Sequence, residues 1–248
     1  MYELIAQKII KSKSLIVLTG AGVSAESGIP TFRGKEGIWT KGSKNYFPEE
    51  LATYSSFIQS PEILWDWYMH RQNICAETEP NEGHLSIAKL EQFCKDKGKK
   101  FLLITQNVDN LHRRAGSENI IEIHGNIFKM RCSSSSSHAY EIKEIEENKK
   151  CKICGETMRP HVLWFDEYYD DKLFQTKSAL QGALQADLLI VIGTTLRTTI
   201  PYEIVEIFVR SGKSIVEINP EPVLREYTEL VLSESSSKAL PEIIARLK

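Results

Sequence analysis

The spacing Gly20-x-Gly22-x-x-Ala25 directly follows the apolar run Leu15 to Leu18, the arrangement of a turn that brings backbone amides to an anion. The first glycine permits a tight turn, the second lets backbone approach a pyrophosphate, and the small third residue allows close packing. A glycine-rich strand-to-helix turn with no ligand has the same spacing, so other residues must decide. Two candidate groups follow apolar runs in the same way, Gln106-Asn107-Val108-Asp109 after 101–105 and His124-Gly125 after 120–123. Amides and a carboxylate suit a polar ligand whose groups both donate and accept hydrogen bonds, and they also suit the cap of a following helix. An imidazole with an ordinary pKa of about 6.5 can take a proton from a sugar hydroxyl at neutral pH. The plain alternative for His124 is a ring satisfied by a backbone carbonyl.

A third group lies between Glu62 and Ala76, where Leu64, Trp67, Tyr68, Arg71, Ile74 and Cys75 recur at helical spacing. The apolar stripe therefore contains an arginine three residues after a tyrosine, on one face. Arg71 either pairs with a structural carboxylate or snorkels to water, or it waits with Tyr68 for an anion, to which a guanidinium offers bidentate bonds. Cysteines form a fourth group. Five of them, two as Cys151-x-x-Cys154, fit a reducing compartment and a metal site better than a disulfide framework.

The elements that must position these groups follow from patterning. A chain of 248 residues with 31 Lys and Arg against 33 Asp and Glu is long enough for a sizeable core and has no broad attraction for nucleic acid or anionic lipid. No apolar run reaches the roughly 18–20 residues of a membrane span, and Tyr2 to Lys13 is amphipathic, so a cytoplasmic protein is expected. Residues 2–11, 84–97, 201–211 and 240–247 read as helices, and 14–19, 101–105, 120–123, 188–193 and 214–219 as strands. Pro30, closely after Gly28, limits the helix behind the glycine turn to about one turn. Residues 38–80, aromatic and punctuated by Pro48, Pro61 and Pro80, suggest short helices, and 127–160 reads as a small inserted module. Strands alternating with helices imply an α/β fold, a doubly wound parallel sheet whose ligand crevice lies at the carboxyl ends of the strands.

The stretch GAGVSAESGIPTFRG resembles the signature of the sirtuins, NAD-dependent protein deacylases, and the resemblance runs from about residue 8 to 246. It implies a Rossmann-like part from 1–37, 81–126 and 169–248, with small-module insertions at 38–80 and 127–168. It also implies that NAD is held by Gly20, Ala21, Gly22, Ser24, Glu26, Thr31, Phe32, Arg33 and Trp39. The segment Gln106 to His112 is similar to TQNID-x-LH and places Gln106, Asn107, Val108 and Asp109 at the nicotinamide ribose and carboxamide. Gly193, Thr194 and Thr195 resemble the start of GTSL, while Asn219, Pro220 and Glu221 resemble INLEP, which accepts the adenine ribose. Ser236 stands near adenine, where the family carries Lys-Ala. His124, with Asn107, takes the catalytic role as general base.

Arg159 to Glu167 is similar to RPHVVWFGE, which pairs with the substrate backbone as an added strand, so Val162, Trp164 and Phe165 are expected at the acyl-lysine peptide. Asp166 replaces a glycine there and is expected to alter the turn, and Pro201 falls one residue late, altering the opposite wall of the cleft. The module from Cys132 resembles the family's zinc ribbon, with Cys132, Cys151 and Cys154 as ligands. Ser135 stands where the fourth thiolate belongs, which leaves His138 or water to complete the site and predicts labile zinc. Tyr68-x-x-Arg71 resembles the motif of the subclass that removes succinyl and malonyl groups. The implied activity is removal of acyl groups from protein lysine, giving nicotinamide and O-acyl-ADP-ribose, by a monomer acting on acylated proteins. The alternatives are ADP-ribosyl transfer or NAD hydrolysis on the same scaffold, and a catalytically idle NAD sensor.

Overall fold

The computed structural model describes residues 1–29, 51–228 and 230–248. Thr31, Phe32, Arg33 and Trp39, expected at the cofactor, lie outside the described residues, as does the part of the expected helical insertion before residue 51.

Two sheets organise the described residues. Strands β1 (Ser14–Thr19), β2 (Lys100–Thr105), β3 (Ile120–Glu122), β7 (Leu188–Ile192), β8 (Ser214–Ile218) and β9 (Leu230–Leu232) form a six-stranded parallel sheet in the order β3-β2-β1-β7-β8-β9. Counted within that sheet alone, the order is the 3-2-1-4-5-6 of the Rossmann fold, with the switch of direction between β1 and β7. Strands β4 (Gly125–Cys132), β5 (Lys143–Glu144) and β6 (Met158–Val162) form a smaller antiparallel sheet in the order β5-β4-β6.

The near-continuous apolar runs of β1 and β7 have a simple cause. Side chains alternate across a strand, and both faces of this sheet are covered. Leu15 and Val17 pack into a core with Ile5, Ile87, Leu90 and Leu240, whereas Ile16 and Leu18 pack on the other face with Ala179, Ile204 and Phe208. Helices Tyr2–Lys11, Glu82–Asp96 and Ser236–Ile244 supply the first layer, and Thr176–Gln185 and Thr199–Arg210 the second. A third core, with Phe57, Leu64, Trp65, Tyr68, Ile127, Met130 and Trp164, joins helix Pro61–Glu77 to the small sheet.

Sequence patterning misses β4, β5 and β9. Polar Asn126, Lys129 and Arg131 interrupt β4, and β9 is a three-residue edge strand too short for a periodic signal. The chain crosses from the large sheet to the small one at Gly125, whose φ of +84° and whose contact with His161 leave no room for a side chain: a Cβ there would lie 2.1 Å from the His161 carbonyl oxygen.

Candidate functional site

At the carboxyl end of β1 the chain makes a single helical turn, Gly22–Ala25, as the glycines and Pro30 require. The amide of Gly22 donates to the carbonyl of Gly193, just beyond β7, at 2.8 Å, and the amide of Gly20 donates to Ile192 at 3.1 Å. The glycine loop is thus stitched to the neighbouring strand across the switch point, where an open parallel sheet has its crevice.

Beneath this loop lies a buried polar network. Backbone N–H of Asn81 donates to His84 Nδ1 at 3.3 Å in a capping box at the start of helix Glu82–Asp96, so His84 carries its proton on Nε2. That nitrogen then donates to Ser24 Oγ at 3.3 Å, and Asn107 Nδ2 donates to the same oxygen at 3.1 Å. Ser24 in turn donates to Asp109 Oδ2 at 2.7 Å. The hydroxyl spends its one proton and both its lone pairs, which fixes Asn107 and Asp109 relative to the glycine loop. Asn107 Nδ2 also donates to the Gly20 carbonyl at 3.1 Å. His112 and Thr105 meet at Thr19 through bonds of 3.0 and 2.8 Å, closing the floor. Burial holds His84 down at about 4 and His112 well below the ordinary histidine value, whereas burial raises Asp109, opposed by the Leu111 amide, Ser24 and Arg71.

The expected residues fall around this crevice unevenly. Gln106 donates from Nε2 to Thr194 Oγ1 at 2.8 Å, and Asn219 Nδ2 donates to the Thr194 carbonyl at 3.0 Å, which ties together the ends of β2, β7 and β8. Ala21 is half-buried on the loop, and Thr195, Pro220 and Glu221 are exposed at the strand ends. Ser236, buried, opens helix Ser236–Ile244 beside Gly83, and Glu26 accepts from the Ser237 amide at 3.3 Å. Val108 points away into the small-sheet core and hydrogen-bonds Ile127 through its carbonyl. His124 sits between β3 and β4 with Nδ1 3.0 Å from the Gln106 carbonyl oxygen, and burial lowers it to about 4.

Tyr68 and Trp164 meet in the third core, where Trp164 Nε1 donates to the Tyr68 hydroxyl at 2.8 Å. Arg71, one turn on, is buried with its guanidinium 4.9 Å from the Trp67 ring centroid and contributes to the field at Asp109. Val162 is buried at the end of β6, while Phe165 is exposed and its amide donates to the Ala52 carbonyl at 3.1 Å. The carboxylate of Asp166 accepts from the amides of Tyr54 at 2.7 Å and Ser55 at 3.1 Å, at the start of helix Tyr54–Gln59. The aspartate that replaces the expected glycine therefore caps a helix.

The sulfur atoms of Cys132, Cys151 and Cys154 and a ring nitrogen of His138 lie within 4.8 Å of one another. Zinc with sulfur at about 2.3 Å and nitrogen at about 2.0 Å keeps its ligand atoms about 3.5–3.8 Å apart in a tetrahedron. Here Cys132 Sγ to Cys154 Sγ is 3.6 Å and His138 Nε2 to Cys154 Sγ is 3.2 Å. The amides of Cys154 and Ile153 lower Cys151 toward its thiolate. The four donors fit a structural zinc ion, and Ser135 needs no part in it.

A profile of the Sir2 family matches residues 20–199. The chain belongs to the Sir2 family. It is 41% identical over 253 aligned residues to an NAD-dependent protein deacylase of Leptospira interrogans, covering 100% of this chain and 98% of that one. A solved Sir2 homologue in complex with NAD superposes with a TM-score of 0.86 at 37% identity, covering 99% of this chain and 93% of the other. A Sir2 variant bound to a deacetylated p53 peptide and an acetyl ADP-ribose superposes with a TM-score of 0.79 at 26% identity, covering 98% and 97%. In this Sir2 protein, residue spacing did not single out His84, His112, Thr198 and Tyr169, which reach the crevice from four separate segments. The capping box Asn81-x-x-His84 was the one local signal.

Proposed function

We propose that this Sir2 protein is an NAD-dependent protein-lysine deacylase in which His124 is the general base and Tyr68 and Arg71 favour acidic acyl groups. The reading is carried by one observation. The crevice at the β1–β7 switch point is lined by the glycine loop, Asn107 and Asp109, and His124 follows β3, the neighbour of β2, with Nδ1 committed to a backbone carbonyl and Nε2 carrying the ring's lone pair. The deacylase names of the relatives and the NAD and peptide complexes of solved family members support it. NAD, when bound, supplies an electrophilic ribose carbon and the hydroxyl that His124 deprotonates. The protein's own part is to hold that ribose against Asn107 and Asp109, to keep the base neutral, and to bring the acyl-lysine alongside β6. That strand pairs with β4 on one side and with no strand on the other among the described residues, which suits addition of a substrate strand.

Acyl preference rests on Tyr68 and Arg71. Because Tyr68 oxygen accepts from the Trp164 indole, its own O–H is available to donate, and burial pushes its pKa up to about 12, so the proton stays in place. A malonyl or succinyl carboxylate could accept from Tyr68 and Arg71 together. Charge-assisted bonds of this kind contribute about 1.5–3 kcal/mol, enough for about a tenfold preference in kcat/KM. The test is mass-spectrometric assay of acetyl-, malonyl- and succinyl-lysine peptides with NAD, on the parent, His124→Ala and Arg71→Met proteins. His124→Ala should abolish turnover while NAD binding persists, and Arg71→Met should depress desuccinylation and demalonylation selectively. Equal losses on all acyl groups in folded Arg71→Met protein would make Arg71 structural. Nicotinamide release without peptide deacylation would favour ADP-ribosyl transfer or NAD hydrolysis, and binding without any turnover an idle sensor.

A further inference from the structure

The basic nitrogen of His124 is already occupied by a protein group. Nε2 lies 2.8 Å from the hydroxyl of Tyr169. With the ring proton on Nδ1, facing the Gln106 carbonyl, Nε2 can only accept, so the phenol donates to it. A neutral imidazole nitrogen has one lone pair, and a ribose hydroxyl to be deprotonated there needs the same lone pair. Tyr169 and the substrate hydroxyl therefore compete for one position.

The phenol has somewhere else to turn. Thr198 lies near it, acting to lower a Tyr169 pKa that burial raises, and Thr198 Oγ1 donates at 3.2 Å to Gln106 Oε1, which leaves the threonine oxygen able to accept. Tyr169 itself is held by its ring, 5.8 Å from His124 between centroids and edge-on to Phe174 at 6.5 Å. A turn of the O–H away from His124 toward Thr198 would free Nε2.

We propose that Tyr169 is a cap on the catalytic base, a positioning residue that holds His124 Nε2 while the crevice is empty and yields it, turning to Thr198, when a substrate hydroxyl arrives. The proposal rests on the reading of His124 as base. Its physical effect is to keep the ring oriented and neutral, because a donor to Nε2 opposes protonation. The nearby charged groups are committed elsewhere: Glu167 to Arg159 and Arg131, Asp170 to the start of helix Asp171–Phe174 and to Tyr140, and Glu122 to Arg113. Burial is the largest influence on His124, opposed by the Gln106 carbonyl.

Tyr169→Phe removes the donor and keeps the ring. Nitrogen-15 NMR titration of His124 in the free protein should show its pKa raised by about one unit, the loss of a single bond to the neutral form. The acid limb of kcat/KM, which reports the free enzyme, should rise with it, while the acid limb of kcat, which reports the substrate complex, stays in place. Thr198→Val should lower kcat/KM without moving the His124 titration. An unchanged His124 titration in Tyr169→Phe overturns the cap, and so does a kcat limb that moves together with the kcat/KM limb, since the phenol would then never leave. Turnover by His124→Ala would sink the assignment of the base, while the titration would still read the Tyr169 bond by itself.

Discussion

Gly22 and Gly193 touch through their backbones: a Cβ added to Gly22 would lie 2.8 Å from both the Cα and the carbonyl oxygen of Gly193, whose own φ is +58°. The glycines are thus demanded by the closeness of two loops, whatever ligand the loops hold.

Gly22→Ala should therefore injure the fold as well as the site. The methyl meets backbone, which cannot rotate away, and a cost of about 1–3 kcal/mol is expected, as for other overpacked positions. Chemical denaturation without added nucleotide provides the check. A variant that binds NAD poorly but unfolds at the parent midpoint would show that the glycine serves the ligand alone.

Four donors around one point argue for zinc held more firmly than Ser135 by itself suggests. The protein should retain close to one zinc per chain through desalting, with His138→Ala losing it to a chelator much faster and Cys151→Ser failing to order the small sheet. Parallel rates of zinc loss from parent and His138→Ala would remove His138 from the ligand set.

Acid should destabilise the protein well before carboxylates titrate. His84 and His161 are held at about 4 and about 3 by burial, against about 6.5 when unfolded. As pH falls below about 6.5 the unfolded chain binds protons that the folded rings refuse, so stability present above that pH is lost progressively toward about pH 4 and then 3. Two such groups amount to roughly 2–5 kcal/mol between pH 7 and 4.5. Urea titrations across that range test it, and His84→Gln should show a shallower pH dependence from a lower starting stability. A parent curve flat from pH 7 to 5 contradicts it.

Asp166→Ala should cost about 1 kcal/mol, the usual loss for a helix-terminal acceptor, and Asp166→Gly a similar amount. Hydrogen exchange at the Tyr54 and Ser55 amides should quicken in both. Unaltered protection at those two amides would mean that the helix start is held by Thr53 alone, whose side chain accepts from Ser56.

Much of the fold could be read from the chain because β1, β2, β7 and β8 are buried on both faces and leave unbroken apolar runs. Asn107, Asp109 and His124 could be picked out as candidates for a related reason, since they are polar residues placed where such runs stop. Tyr169 and Thr198 gave no such signal: each follows an irregular stretch, and the meeting of Tyr169 with His124 and of Thr198 with Gln106 depends on how remote segments fold back on the sheet. His138 was left open because ligand spacing templates count residues, whereas the tight turn Ser137–Tyr140 brings its ring to the sulfurs by shortening the path. The chain also concealed what Asp166 does, since its partners lie 111 and 112 residues earlier.

The stitching of Gly22 to Gly193 has a bearing on synthesis. A ribosome makes the glycine loop within the first tenth of this 248-residue chain, but its partner emerges only once Gly193 has been translated. Until then β1 has β2 on one side and a bare edge on the other, because β1–β7 pairing joins Leu15 to Leu188. Such distant closure is slow and exposes an apolar edge to neighbours. A nascent chain is therefore unable to complete a nucleotide crevice, and cofactor supplied during translation should do little to protect it before β7 has left the exit tunnel.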